Sequence, residues 1–240
     1  MEKMPEFDKY ARGYSGGHED PLKRLFGKDL DQFIYVKAKW LWHFLSREKA
    51  LSDRRLRLLD YGCGTGEMLK WLSLFGFPGH MYGADISSDM IKEAERRCNE
   101  PPKPFLSCIG ETKTNFDGNY FDYVVATCVF HHIEREIRDD VLREIERILV
   151  PGGKLIIFEH NPINPMTRLI VKRAVIDRDA ILLYPREIKC RFDRVILKLC
   201  RLEYLMFFPP NMKPLHRLEK FLSWCPMGAQ FAAVGQKMPW

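Results

Sequence analysis

Between residues 55 and 160 the apolar positions of this chain switch repeatedly between two periods. "RLRLLDYG" (55–62), "HMYGADI" (80–86), "PFLSCIG" (104–110), "YFDYVVATC" (120–128) and "KLIIFEH" (154–160) are short apolar runs that predict strands. Between them, "GEMLKWLSLFGF" (66–77), "SSDMIKEAERRCN" (87–99) and "EREIRDDVLREIERIL" (134–149) space their apolar residues as helices do. The second of these begins with a serine cap and carries an acid in its first turn. "DLDQFIYVKAKWLWHFLSREKAL" (29–51) predicts a further helix ahead of the first strand, and "PGG" (151–153) a turn. Strands alternating with helices mean βαβ units and a parallel sheet covered on both faces. Nearly continuous apolar strands such as "DYVVATC" and "LIIF" agree with burial on both sides. The fold class is therefore α/β. The last third is less regular: helices are expected near 165–176 and 186–199, a short one near 215–223, and strands at 201–208 and 228–237.

Length and composition add limits. A chain of 240 residues with 46% apolar and 29% charged residues is an ordinary globular domain with room for one large core. Residues 1–50 read as an N-terminal helical cap, 51–240 as the main domain, and 164–227 as an elaboration of it. No apolar run reaches the 18 or so residues of a membrane span, and "MEKMPEFDKYARGYS" has no signal-peptide core. A cytoplasmic location is expected. The seven cysteines contain no CxxC pair and are odd in number, so neither a disulfide framework nor a zinc site is expected. The net charge is +6, but residues 164–220 hold 13 Lys/Arg against 6 Asp/Glu, an excess of seven. The positive field belongs to the C-terminal third and suits an anionic substrate, a membrane surface or nucleic acid, or is simply a solvated face.

Open parallel sheets bind ligands at the carboxyl ends of their strands, and the polar residues fall there. The first strand ends at Asp60, the second at Asp85, and the third is followed by Gly110 and Glu111. The fourth ends at Thr127–Cys128 and runs into "VFHHI"; the fifth ends at Glu159–His160–Asn161. In "LLDYGCGTGE" (58–67), Gly62, Gly64 and Gly66 allow a tight turn and a close backbone approach to a ligand. The helix beginning near Gly66 points its N–H groups at an anion. A dinucleotide site wants a glycine at position 67, which is Glu67. A ligand with an amino-acid end tolerates the spacing present, and Asp85, 19 residues past Gly66, can accept two ribose hydroxyls. An amino-acid end joined to an adenosine end is S-adenosylmethionine.

On these residues the sequence resembles the class I S-adenosylmethionine-dependent methyltransferases. "LLDYGCGTGE", "YGADIS", "CIGET", "FDYVVATCVFHHI" and "ILVPGGKLIIFEH" match that family's motifs in order and spacing over roughly residues 35–160. The resemblance implies a Rossmann-like, doubly wound, mainly parallel seven-stranded sheet with an antiparallel last strand and an N-terminal helical lid. It implies that Asp60 and the loop Gly62, Cys63, Gly64, Thr65 and Gly66 hold the methionine part. Asp85 would bind the ribose, Ile86 pack on the adenine, and Gly110–Glu111 meet its amino group. Cys128 and Val129 would line the sulfonium side. Tyr10 and Tyr14 in "FDKYARGY" resemble a lid over the cofactor in small-molecule methyltransferases. "EHNPINPMTRLIVKRAVIDRDAILL" is similar to a bacterial small-molecule subgroup. Cys200 stands where the family often has a glycine, in the turn before the sixth strand.

Methyl transfer is an in-line displacement in which positioning supplies much of the acceleration. A base is needed only where the nucleophile enters protonated, and histidine suits neutral pH. His131, His132 and His160 are the candidates, with His132 preferred because neighbours in extended chain point opposite ways. Asn161 is a candidate substrate contact. The expected function is methyl transfer to a small-molecule acceptor, first at oxygen, with nitrogen and carbon open, and anionic on the evidence of charge; a lipid-linked acceptor is also open. Competing readings are a cofactor-binding partner subunit without catalysis and a nucleic-acid methyltransferase. "YLMFFPP" and "LHRLEKFLSW" mix aromatic and basic residues, as core packing or as a lipid-facing patch.

Overall fold

The computed structural model describes residues 30–173, 180–208 and 212–239. Helix α1 (Leu30–Arg47) precedes strand β1 (Arg57–Tyr61). Then follow α2 (Glu67–Leu74), β2 (His80–Asp85), α3 (Ser88–Arg97), β3 (Phe105–Cys108), β4 (Phe121–Thr127), α4 (Arg138–Ile148) and β5 (Leu149–His160). The last part holds α5 (Pro165–Arg173), α6 (Pro185–Phe192), β6 (Leu197–Leu205), α7 (Glu219–Leu222) and β7 (Gln230–Lys237). The strands form one sheet in the order β3-β2-β1-β4-β5-β7-β6. β7 runs antiparallel to both β5 and β6, so the other six strands are parallel to one another. The order reverses between β1 and β4, which makes the carboxyl ends of these two strands the switch point.

The continuous apolar runs are explained by two cores. Along β4, Phe121, Val124 and Ala126 enter one core and Tyr123 and Val125 the other. β5 divides Leu155 and Ile157 from Ile156 and Phe158 in the same way. The first core takes Val141, Ile145 and Ile148 of α4 and Ile188 and Phe192 of α6; the second takes Ala38, Leu41 and Leu45 of α1 and Leu69 and Leu72 of α2. Burial on this scale, at roughly 1.5–3 kcal/mol per large side chain, dominates the stability of the sheet.

Several expected boundaries move. The helix expected over 186–199 stops at Phe192, and β6 starts at Leu197 rather than 201. Burial of Leu197 against the core outweighs the helical pattern. Cys200 does not sit in a turn before that strand: it lies within β6, where the register slips between Leu199 and Arg201. An extra residue in a bulge needs no glycine here. "PGG" is absorbed into β5, where Gly152 at φ +80° marks a register irregularity opposite Phe121–Tyr123. Gly153 passes so close to the β4 backbone that a Cβ would come within 3.1 Å of the Asp122 carbonyl oxygen. α4 begins at Arg138, four residues later than its periodicity suggests.

Candidate active site

The glycine loop is built by backbone geometry. Gly62, Gly64 and Gly66 all have positive φ, at +72°, +52° and +85°. A Cβ on Gly62 would fall 2.5 Å from Val129 Cγ2, and one on Gly66 2.8 Å from Cys98 Sγ. A Cβ on Gly64 would meet no atom within 4 Å, so this residue faces open space. The Gly62 and Cys63 N–H groups donate to the Ala84 carbonyl, at 2.7 and 3.0 Å, and pin the loop to the end of β2. Asp85 completes the tie: its Oδ2 accepts from the Gly64 N–H at 2.9 Å and its Oδ1 from the Ser87 N–H at 2.9 Å.

Asp60 is buried, and its Oδ1 has no hydrogen-bond partner among the described residues. Burial pushes its pKa up to about 8, helped by the nearby carboxylates of Asp85 and Glu67. A buried acid with an unused oxygen beside an open glycine turn fits a cationic group such as an amino-acid ammonium. Two more buried polar atoms without a partner among the described residues are Thr127 Oγ1, at the end of β4, and Gln230 Oε1, at the start of β7. β7 is antiparallel, so all three lie at the same edge of the sheet. Buried polar groups are ordinarily satisfied, and their concentration here marks a place made for a ligand. Ile86, directly after β2, is 40% exposed although it is a large apolar residue. Gly110 and Glu111 are exposed in the loop after β3. That loop is braced by Glu144, which accepts from the Thr114 N–H at 2.9 Å and the Thr114 hydroxyl at 2.6 Å. Burial pushes Glu144 upward, but hydrogen bonds from Arg147 and Thr114 overcome it and hold its pKa near 2.

Glu67 does not face the glycine turn alone. Its Oε1 is held by Arg97 Nη1 at 2.8 Å and by the Thr65 hydroxyl. Thr65 is fully buried in this network, so its side chain braces the loop. Cys63 is buried too, and burial pushes its thiol pKa well up.

The histidines are arranged differently from the expectation. Residues 130–132 form a 3-10 turn and not extended chain, so His131 and His132 lie side by side with ring centroids 4.1 Å apart. His131 is 1% exposed, and its Nδ1 is 2.5 Å from Glu159 Oε2. Glu159 is fully buried and also accepts from the Phe130 N–H at 2.8 Å. Burial raises its pKa, but the charge and hydrogen bond of His131, with His160 and His132 nearby, bring it below the usual carboxylate value. His160 lies with its ring 5.1 Å from His131 and its Nδ1 3.3 Å from Gln230 Nε2. Arg138, also buried, locks this turn from below, donating to the carbonyls of Ile133 at 2.9 Å and Ile181 at 2.8 Å.

Asn161 is a correction. It is fully buried, and its amide donates to the carbonyls of Pro226 at 2.9 Å and Gly228 at 2.7 Å. Both amide hydrogens are thus spent on tying β5 to the segment before β7, and no donor remains for a substrate. Tyr10 and Tyr14 lie outside the described residues; of the expected lid, 1–50, the described part is α1 and the residues after it, and α1 packs into the second core.

Two residues were missed by the sequence reading. Lys37 is 2% exposed, and its Nζ donates to Cys128 Sγ at 3.1 Å. Cys128 has φ +57°, unusual for a side-chain-bearing residue. The signal for Lys37 was a lone cation on the stripe Ile34, Ala38, Leu41, Leu45. The other is Glu159, which was placed at the end of the fifth strand but given no role: an acid directly after four apolar residues of a buried strand.

A sheet of order 3-2-1-4-5-7-6 with one antiparallel strand, a three-glycine turn after β1 and acids ending β1 and β2 is the architecture of the class I S-adenosylmethionine-dependent methyltransferase fold. Residues 59–157 match the methyltransferase domain family. Among curated relatives, the 2-phytyl-1,4-naphtoquinone methyltransferase of Nostoc punctiforme is 31% identical over 58% of this chain and 62% of its own length. The ubiquinone/menaquinone biosynthesis C-methyltransferase UbiE of Azotobacter vinelandii is 31% identical over 50% of this chain and 48% of its own. The chain thus spans about half to three-fifths of the length of these relatives. The fold is shared with magnesium protoporphyrin IX methyltransferase from Synechocystis PCC 6803, solved with bound SAH, at TM-score 0.66 and 16% identity over 96% of this chain and 94% of that one.

Proposed function

We propose that the chain transfers the methyl group of S-adenosylmethionine to a small-molecule acceptor, and that the acceptor is a quinol-type ring methylated at carbon. The observation that carries the cofactor half is the buried, unpartnered Asp60 Oδ1 beside the open Gly64. The carbon acceptor is supported by the relatives, whose names specify quinones and C-methylation. When bound, S-adenosylmethionine supplies an electrophilic methyl on a sulfonium sulfur. Asp60 holds the ammonium of its methionine end, Asp85 accepts the ribose hydroxyls, Ile86 covers the adenine and Glu111 accepts from its amino group. Cys128 and Val129 line the sulfonium side, with Lys37 behind them.

Methylation of a ring carbon releases the proton of that carbon. His132 and His160, both half-buried at the strand ends, are the groups to take it. His131 is a positioning residue in this reading, since Glu159 engages its Nδ1 in the interior. The test is incubation with isotopically labelled cofactor and a panel of reduced naphthoquinones and benzoquinones. Product analysis by NMR distinguishes a new carbon-bound methyl from a methyl ether. A methyl ether would restore the oxygen acceptor expected from the sequence. Cofactor binding without transfer to any quinol would remove the quinol reading.

A further inference from the structure

The outer face of α1, strand β6 and the segment 212–224 enclose a groove of about 480 Å³. Its charge is one-sided. Lys39, Arg47, Arg201 and Lys220 line it, with His43 and His216, against two acids, Glu203 and Glu219. Both acids are already engaged. Glu203 accepts from Trp40 Nε1 at 2.7 Å and from Arg201 at 3.2 Å; Glu219 accepts from the Phe208 N–H at 3.3 Å and lies 3.6 Å from His216 Nδ1. Lys39, Arg47 and Lys220 form no ion pair with a described residue. Close to Lys220 in the chain, three large apolar side chains are exposed: Trp224 is 77% exposed, Phe221 64% and Leu218 48%. The Lys220 ammonium sits 4.8 Å from the centre of the Phe221 ring.

We propose that this face docks on a bilayer surface carrying anionic phospholipids, with headgroup phosphates against the groove cations and Phe221 and Trp224 in the interfacial layer. Charge complementarity selects this occupant. Unpaired lysine and arginine beside exposed tryptophan and phenylalanine match the two layers of a membrane interface, phosphate outside and acyl chain inside. A second copy of the chain would bring the same cations together without a counter-charge. The geometry also gives the docking a consequence. Leu205 at the carboxyl end of β6 and Gln230 at the start of β7 lie at the same edge of the sheet as Asp60, Asp85 and the histidines. Docking through Phe221 and Trp224, which flank Leu222–Ser223 where the Ser223 carbonyl accepts from the Tyr204 N–H near the end of β6, brings that edge near the lipid. That a membrane-dissolved acceptor is delivered there rests on the quinol reading; the docking itself does not.

The test is flotation of the full chain with vesicles of phosphatidylcholine alone and of phosphatidylcholine mixed with phosphatidylglycerol, at low and high salt. The chain is expected to float with the anionic vesicles only, and to be released by salt. The double variant Lys39→Glu/Lys220→Glu is expected to bind at least about tenfold more weakly. Phe221→Ser/Trp224→Ser is expected to lose about tenfold through apolar contact at low salt. Unchanged circular dichroism and unfolding temperature show that the variants fold, and neither readout depends on cofactor or acceptor. Equal binding to both vesicle types, no vesicle binding by the parent chain, or undiminished binding by either double variant overturns the proposal. Self-association lost in Phe221→Ser/Trp224→Ser, or saturable RNA binding in place of vesicle binding, overturns it in favour of those partners.

Discussion

The two halves of the active-site edge are held together by different physics. On the β1–β2–β3 side, the ligand surface is backbone: three glycines at positive φ, N–H groups tied to Ala84, and Asp85 bonded to the Gly64 and Ser87 N–H groups. On the β4–β5–β7 side it is side chain on side chain. Glu159 grips His131, Lys37 reaches Cys128 from another helix, and Gln230 bridges toward His160 from the antiparallel strand. In the proposed function the first kind of surface serves the cofactor. The second is assembled from long-range contacts and can be altered one residue at a time, which suits the acceptor side of the proposed function.

Damage on the β4–β5–β7 side is expected to appear first as lost stability. Glu159→Ala leaves His131 buried without its carboxylate and strands the Phe130 N–H. The expected destabilisation is about 3–5 kcal/mol, read from the urea midpoint. A change below about 1 kcal/mol would mean that the turn 130–132 is held by other contacts, and the contrast would weaken.

Damage on the glycine side is expected to strike binding instead. Asp85→Ala removes two charged hydrogen bonds to the ribose, about 3 kcal/mol, so the affinity for S-adenosylmethionine should fall about a hundredfold by calorimetry. Affinity within a factor of three of the parent chain would sink the assignment of Asp85.

The smallest effect sharpens the role of Asp60. With its pKa raised to about 8, this acid holds a proton at pH 7 in the unliganded chain. A ligand ammonium favours the carboxylate, so binding at pH 7 is expected to release up to about one proton. Above pH 9 the acid is already ionised and the release disappears. Titrations in buffers of different ionisation enthalpy measure this, with Asp60→Asn as the control. Equal proton release by Asp60→Asn would show that another group is responsible.

The β1–β2 half was legible in the sequence because its parts lie close together in the chain. The turn after β1 needs glycine at fixed offsets, and the acid ending β2 follows one helix later. Ser87 was readable as a cap and does accept from the Met90 N–H at 3.1 Å. The other half was misread where the chain leaves regular structure. Adjacent histidines were assigned to opposite faces because extended chain was assumed, and the 3-10 turn brings their rings together. Asn161 seemed to be a substrate contact until the segment 226–228, 65 residues or more further on, took both its amide hydrogens.

The sequence by itself determined the alternation of strands and helices, the parallel sheet, the glycine turn and the acids at the strand ends, because periodicity and backbone conformation are local properties. Only the tertiary structure decided which polar side chains were used up inside the protein and which were left for a ligand. Glu159 and Asp60 are both buried acids at strand ends, indistinguishable in sequence. One is held by a histidine and a backbone N–H, and the other keeps an unused oxygen. That difference arises from neighbours brought close by folding, across separations that no local pattern encodes.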